Sequence, residues 1–141
     1  MPHGQRGAIE LRAIGHVESS LLDVTAAPCQ GDEGSPEAWL VLDARVADAM
    51  AGLEVGTEVL VLTWLDRAAR DVLVVHPRGD ANRPLQGVFT TRSPDRPNPI
   101  GLHRVRIVGI DGLRVRVRDL EAVDGTPVID VKPVLGDVDE R

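Results

Sequence analysis

The chain of 141 residues contains no tyrosine, one phenylalanine (Phe89) and two tryptophans (Trp39 and Trp64). So few rings exclude a protein that grips single-stranded nucleic acid by stacking successive bases on aromatic side chains. Any nucleic acid bound here must be held through its shape and its phosphates. Cysteine is as scarce. Cys29 alone cannot form an internal disulfide, so nothing points to an oxidising compartment. Its neighbours Pro28, Gln30 and Gly31 bring no cation or base to activate the thiol, which reads as inert. Long hydrophobic runs are missing as well. The longest, residues 59–65, is interrupted by Thr63 and is far too short to span a bilayer. Residues 1–10 hold no apolar segment of a secretory signal. These absences predict a soluble, cytosolic protein without a membrane partner.

Lysine is nearly absent too: of 16 basic residues only Lys132 is a lysine, the rest being arginine. The net charge of −6 argues against coating nucleic acid through a global positive field, but leaves room for a local basic patch. The four histidines (His3, His16, His76 and His103) show no metal-ligand spacing, and neither CxxC nor HExxH occurs, so no metal site is predicted. Neither a phosphate-binding P-loop nor a GxGxxG after a strand is present, which leaves a Rossmann-type cofactor site unsupported.

What remains is a series of short strands. Residues 9–17 alternate in part, residues 39–42 form a short apolar run, and residues 57–65 and 71–76 are rich in Val and Leu. Residues 104–110 and 113–118 alternate more clearly around Asp111-Gly112, a hairpin signal. Residues 128–131 are a last strand, and one short helix is expected over residues 44–50, stopping at Gly52. Many short strands with Gly and Pro punctuation predict one all-β domain, a sandwich or a barrel, with short helical or loop insertions. In the hairpin, Arg104 and Arg106 share one face, as do Arg114, Arg116 and Arg118; Val105, Ile107, Val115 and Val117 face the core. Whether the arginine rows merge depends on register. They are a solvated outer face or a phosphate-contacting stripe.

Three segments stand out. In residues 91–101, three prolines (Pro94, Pro97 and Pro99) remove backbone donors and fix φ, so this loop is excluded from a sheet interior and is stiff before any ligand arrives. Arg92 and Arg96 bring guanidinium forks suited to carboxylate or phosphate, Ser93 and Asn98 bring directional polar groups, and Gly101 permits close approach. The combination points to a binding loop. In residues 119–133, Asp124-Gly125-Thr126 is a turn by its chemistry. Asp130 and Lys132, two apart, share a strand face, either as an edge-strand ion pair or as a polar patch at a pocket mouth. The third segment is Pro28-Cys29-Gln30-Gly31.

Gly87-Val88-Phe89, followed by residues 90–101, resembles a signature of the TrmO/TsaA-like family of tRNA-modifying enzymes. Residues 124–133 resemble its second signature, and Ile14-Gly15-His16-Val17 and Pro28-Cys29-Gln30-Gly31 match weaker landmarks in the right order. The resemblance implies a closed β-barrel spanning residues 1–141, a homodimer with its pocket near the subunit interface, and S-adenosylmethionine as cofactor. It implies N-methylation of threonylcarbamoyladenosine beside the tRNA anticodon. Arg92, Ser93, Asn98, Ile100 and Gly101 would line the cofactor pocket; Leu120, Asp124, Gly125 and Thr126 would close it; Gln30 would approach from the N-terminal loop. Of the residues expected to act on the reaction, Asp130 would orient the acceptor or collect its proton, Arg96 would hold a substrate phosphate or the threonyl carboxylate, and Lys132 would sit close by. Two departures bear on the tRNA assignment: Val134 stands where the family often has an aromatic, and no C-terminal extension domain is expected. A methyltransferase for a small-molecule acceptor and a non-catalytic module binding S-adenosylmethionine or a nucleotide are the alternatives.

Overall fold

The fold was taken from a computed structural model that describes residues 7–20 and 37–136. Its strands are β1 (Gly15–Glu18), β2 (Ala38–Leu42), β3 (Glu58–Trp64), β4 (Val74–Val75), β5 (Gln86–Gly87), β6 (Ile100–Asp111), β7 (Arg114–Arg118) and β8 (Pro127–Pro133). Six of them pair antiparallel in the order β1–β2–β7–β6–β3–β8. The last returns to the first through Gly15 opposite Val128 and His16 opposite Pro127, so the six strands form a ring. Pairing on both sides satisfies the backbone that an open sheet of this size would leave exposed at its edges.

The ring follows from alternation. Val17, Leu40, Val59, Val61, Val105, Ile107, Val115, Val117 and Val128 all point inward, each at most 4% exposed. Burying each such side chain contributes about 1.5–3 kcal/mol. Between them, Arg104, Arg106, Arg116 and Arg118 face water, as their spacing predicts. The hairpin loop is Gly112-Leu113, one residue on from the Asp-Gly signal, because Asp111 pairs with Arg114; Gly112 takes the positive φ (60°) that the turn requires. Gly15 is needed for a different reason: a Cβ there would collide with the Val41 carbonyl oxygen and stand 2.9 Å from the Leu42 Cα.

Some strands differ from their sequence pattern. Residues 9–14 lie outside β1; Ile14 still bonds Val128 and Asp43 through its backbone, whereas Ile9 is 85% exposed. Only Val74–Val75 of residues 71–76 is extended, and it pairs with β5 in a separate two-stranded sheet, because the ring is complete without it. β6 starts four residues earlier than its alternating run: Ile100 and Gly101 pair with Trp64 and Thr63. The prolines exclude residues 94–99 from the sheet, but not the two residues after them. The segment Ala44–Met50 is helical as expected, with 3₁₀ geometry. Among the described residues no helix is long and apolar enough to cross a membrane.

Candidate functional site

Strand β3 brings the two signature segments together. It lies between β6 and β8, so Thr63 has Gly101 on one side and Val128 on the other, and Leu62 has Leu102 and Asp130. Neighbouring strands are about 4.8 Å apart, so the end of the proline–arginine loop and the start of β8 meet within two strand spacings. Beneath them lies a polar pair inside the ring. Thr63, fully buried, places its Oγ1 2.8 Å from Nε2 of His103. Burial pushes the His103 imidazole down to about 4, so it is neutral at pH 7. Gly101 covers this pair so closely that a Cβ would collide with the Thr63 hydroxyl and lie 2.8 Å from His103 Nε2.

The loop is braced by arginines. Arg96 donates from Nη1 to the Thr91 and Ser93 carbonyls (3.0 and 2.9 Å) and from Nη2 to the Val88 carbonyl (2.7 Å). Its backbone N–H bonds to the Ala69 carbonyl, and the Ala69 N–H bonds to Asp95 Oδ1 at 2.9 Å. Arg70, which no sequence pattern singled out, donates to the Pro97 carbonyl (2.8 Å) and to Asn98 Oδ1 (2.9 Å) while its guanidinium stands 5.1 Å from the Trp64 ring centre. Asn98 is therefore held by its oxygen. Ser93 Oγ accepts from the Asp95 N–H at 3.3 Å, and Arg92 is exposed.

The second segment is anchored differently. Leu120 is fully buried in the core, with Ala122 and Val123 buried beside it. Gly125 (φ 87°) donates its N–H to the Val17 carbonyl, and Val17 donates to the Thr126 carbonyl, docking the turn on β1. Thr126 is buried, its hydroxyl bonded to the Val123 carbonyl at 2.8 Å. Asp124 is exposed and accepts the Ser19 N–H at 3.0 Å. Asp130 and Lys132 form an ion pair of 3.3 Å, both about half exposed, opposite Leu62 and Leu60 of β3, on the part of β8 beyond its pairing with β1, which covers Pro127 and Val128.

A cleft of about 580 Å³ opens beside Asp124, lined also by His16, Glu18, Ser19, Glu37 and Trp39. The proline–arginine loop does not line it. At its wall the Arg114 hydrogen bond holds the Glu18 carboxyl below the usual carboxylate range and raises Arg114. Around the loop, large apolar side chains face solvent: Phe89 (83% exposed), Leu73, Val74, Leu85, Ile100 and Leu102. Gln30 lies outside the described residues, as does Cys29. Among the described residues no group of three or more His, Cys, Asp and Glu side chains is gathered as for a metal ion.

Residues 16–140 match the family described as the tRNA-methyltransferase O N-terminal domain. A probable S-adenosyl-L-methionine-binding protein of Methanothermobacter thermautotrophicus is 44% identical over 131 residues, 93% of each chain. An S-adenosyl-L-methionine-binding protein of Archaeoglobus fulgidus is 41% identical over 129 residues, 92% of this chain and 91% of that one. The crystal structure of TrmO from Pseudomonas aeruginosa superposes with a TM-score of 0.74 at 28% identity, over 95% of this chain and 59% of that one. Another TrmO crystal structure gives 0.75 at 29% identity, over 95% and 58%. The chain thus spans about three-fifths of the length of these solved TrmO chains. It belongs to the tRNA-methyltransferase O N-terminal domain family.

Proposed function

We propose that the protein is an S-adenosylmethionine-dependent methyltransferase whose acceptor is tRNA, at the exocyclic nitrogen of threonylcarbamoyladenosine. The single observation that carries the reading is the meeting of the two signature segments across β3, at one end of a ring that we read as a closed barrel. The groups present there suit the cofactor. Asp124 offers an exposed carboxylate for hydroxyl or ammonium donors, Arg92 an exposed guanidinium for a carboxylate, and Ile100 an exposed apolar surface for a purine. Ser93, Asn98, Gly101 and Gly125 complete that surface, while Leu120 and Thr126 support it from beneath. Gln30 is assigned to the same pocket by the family resemblance alone.

S-adenosylmethionine supplies a methyl group activated on a sulfonium sulfur. The chain's own contribution is placement. Holding two reactants in a near-attack arrangement is worth ~7–11 kcal/mol. The loop's stiffness serves that end, because Arg96 and Arg70 fix it before a ligand arrives. We assign Arg96 to positioning, three of its donors being on loop carbonyls, with its remaining N–H groups for a substrate anion. Asp130 collects the proton that leaves the acceptor nitrogen, with Lys132 paired to its carboxylate at 3.3 Å. The loop and the cleft beside Asp124 do not form one enclosed cavity in a single copy. A second copy seated on the exposed Phe89, Ile100 and Leu102 surface would cover the loop, so we take the working form to be a homodimer in the cytoplasm.

The test is calorimetry with S-adenosylmethionine, followed by labelled methyl transfer to bulk tRNA and mass spectrometry of its nucleosides. Binding with label in a threonylcarbamoyl nucleoside supports the reading. No heat with the cofactor or its demethylated product sinks it, as does unchanged affinity in both Arg92→Ala and Asn98→Ala for the loop's part in the site. The acidic balance and three aromatic residues favour a second reading, a small-molecule acceptor; label in a metabolite extract but not in tRNA would establish it.

A further inference from the structure

The register answers whether the two arginine rows merge. Arg106 on β6 stands directly opposite Arg118 on β7, and Arg116 stands opposite Gly109 beyond a bulge and, on its other side, opposite Trp39 of β2. The Arg116 side chain lies over Gly109, its Nε 3.5 Å from where a Cβ would stand, an ordinary contact. Arg104, Arg106, Arg118, Arg116 and Arg114 therefore form one band on the outer face of β6 and β7, ending at Trp39. The indole is flanked by the Arg114 and Arg116 guanidinium groups at 4.9 and 5.7 Å.

The carboxylates that answer this band sit at its margins. Glu58 on β3 bonds Arg104 (3.0 Å), Glu18 on β1 bonds Arg114 (2.7 Å), and Glu37 before β2 is shared between Arg116 (3.6 Å) and Arg118 (3.5 Å). Arg106 donates to the Gly56 carbonyl at 2.8 Å. With Asp111, which stands opposite Arg114 at the hairpin end, five guanidinium groups face four carboxylates, on a chain of net charge −6. Like charges placed directly opposite on antiparallel strands destabilise the pair, so the sheet's own stability does not call for Arg106 against Arg118.

We propose that this band is a docking surface for the phosphate backbone of a structured RNA, reached by guanidinium forks rather than by base stacking. This rests on the tRNA reading above and adds the surface that holds the substrate. Two features favour RNA backbone. Arginine's planar fork matches phosphate, and a structured RNA is recognised chiefly through its shape and phosphates, which suits a face whose single ring is already flanked by cations. The band also leads to the candidate site at both ends: Arg104 is four residues from Ile100, and at the far end Trp39 and the Arg114 partner Glu18 line the cleft beside Asp124.

The test is the binding of bulk tRNA as a function of salt, by wild type, Arg106→Gln with Arg118→Gln, the same two positions as Lys, and, as control, Arg83→Gln in the segment between β3 and β6. The Gln pair is expected to bind tRNA roughly tenfold or more weakly at low salt and to flatten the plot of log affinity against log salt by about 1–2. The Lys pair restores most of the slope, Arg83→Gln leaves it intact, and S-adenosylmethionine affinity stays within twofold in all. A Gln pair that is folded by circular dichroism and binds tRNA with the wild-type slope overturns the band alone. A Lys pair as weak as the Gln pair overturns it too, by making the loss structural. Wild type that retains no tRNA at any salt overturns both the band and the tRNA reading.

Discussion

The two segments that carry the family's signatures are held by opposite means. The proline–arginine loop hangs on polar bonds. Arg96 gathers three carbonyls of its own loop, Arg70 clamps Pro97 and Asn98, and the loop's exit rests on the Thr63–His103 pair. The Asp124 turn hangs on burial, with Leu120, Ala122, Val123 and Thr126 sunk in the core and two backbone bonds to Val17. A loop built from guanidinium-to-carbonyl bonds is stiff but depends on a few donors. A turn anchored by apolar side chains fails only when the core does. Residue type alone therefore misleads about availability: Arg96 looks like an anion binder and acts as a brace, whereas Asp124 looks like a turn former and presents its carboxylate.

The comparison is broken most directly by removing each anchor. Leu120→Ala empties a fully buried site and is expected to cost about 3–4 kcal/mol in denaturant unfolding, without regard to pH. A cost near zero would mean that the turn is not anchored by burial. His103→Gln probes the other support. The folded-state pKa of about 4 lies below the unfolded value near 6.5, so the unfolded chain binds the proton first. His103 thus imposes no penalty above pH 6.5, and stability falls as pH drops from 6.5 to 4, by about 3 kcal/mol from this group. The glutamine variant keeps a polar partner for Thr63 and should lose that part of the acid limb, read as the difference between the two pH–stability curves. Parallel curves would show His103 to be solvated and the pair unimportant. Arg96→Ala comes next, with an expected loss of about 2–3 kcal/mol, chiefly from the Thr91 and Ser93 carbonyls it stops serving, since the Val88 carbonyl keeps the Thr91 N–H. Lysine should recover only part of this, because one ammonium cannot serve the carbonyls that two guanidinium nitrogens reach. Full recovery with lysine would reduce Arg96 to a point charge.

The strands of the ring were legible in the sequence because alternation is a local signal, whereas their pattern alone left a sandwich and a barrel equally open. Val105, Ile107, Val115 and Val117 declared both their strands and their inward face. The small β4–β5 sheet was not, because residues 71–76 have the composition of a ring strand and nothing local says that the ring is already complete. In the site, the stiffness of residues 94–99 followed from proline, and the turn from Asp124-Gly125. The braces did not. Arg70 lies in a segment with no periodicity, and its partners are 27 and 28 residues away. Thr63 left a trace, a lone hydroxyl in an apolar run, but its partner His103 is 40 residues distant and only the β3–β6 register joins them. The merging of the arginine rows was hidden for the same reason, since register is set by closure of the whole ring.

Asp124→Asn has the smallest expected effect on stability and sharpens the comparison most. The asparagine oxygen can still accept the Ser19 N–H that now reaches Asp124 Oδ1 at 3.0 Å. The neighbouring anchors, Leu120 and Thr126, are untouched. The substitution removes only a charge from an exposed side chain, so unfolding free energy should change by less than ~0.5 kcal/mol. If the carboxylate faces the cofactor's hydroxyl or ammonium donors, affinity for S-adenosylmethionine in calorimetry should still fall about tenfold, the worth of roughly one charge-assisted hydrogen bond. Arg96→Ala should instead weaken stability and affinity together, because there the same bonds hold the loop and shape the surface. Loss of affinity without loss of stability at Asp124, set against joint loss at Arg96, separates a residue that meets the ligand from one that positions others. Should Asp124→Asn bind as wild type does, the turn supports the site only through its backbone, and the ligand's polar groups must be met from the proline–arginine side.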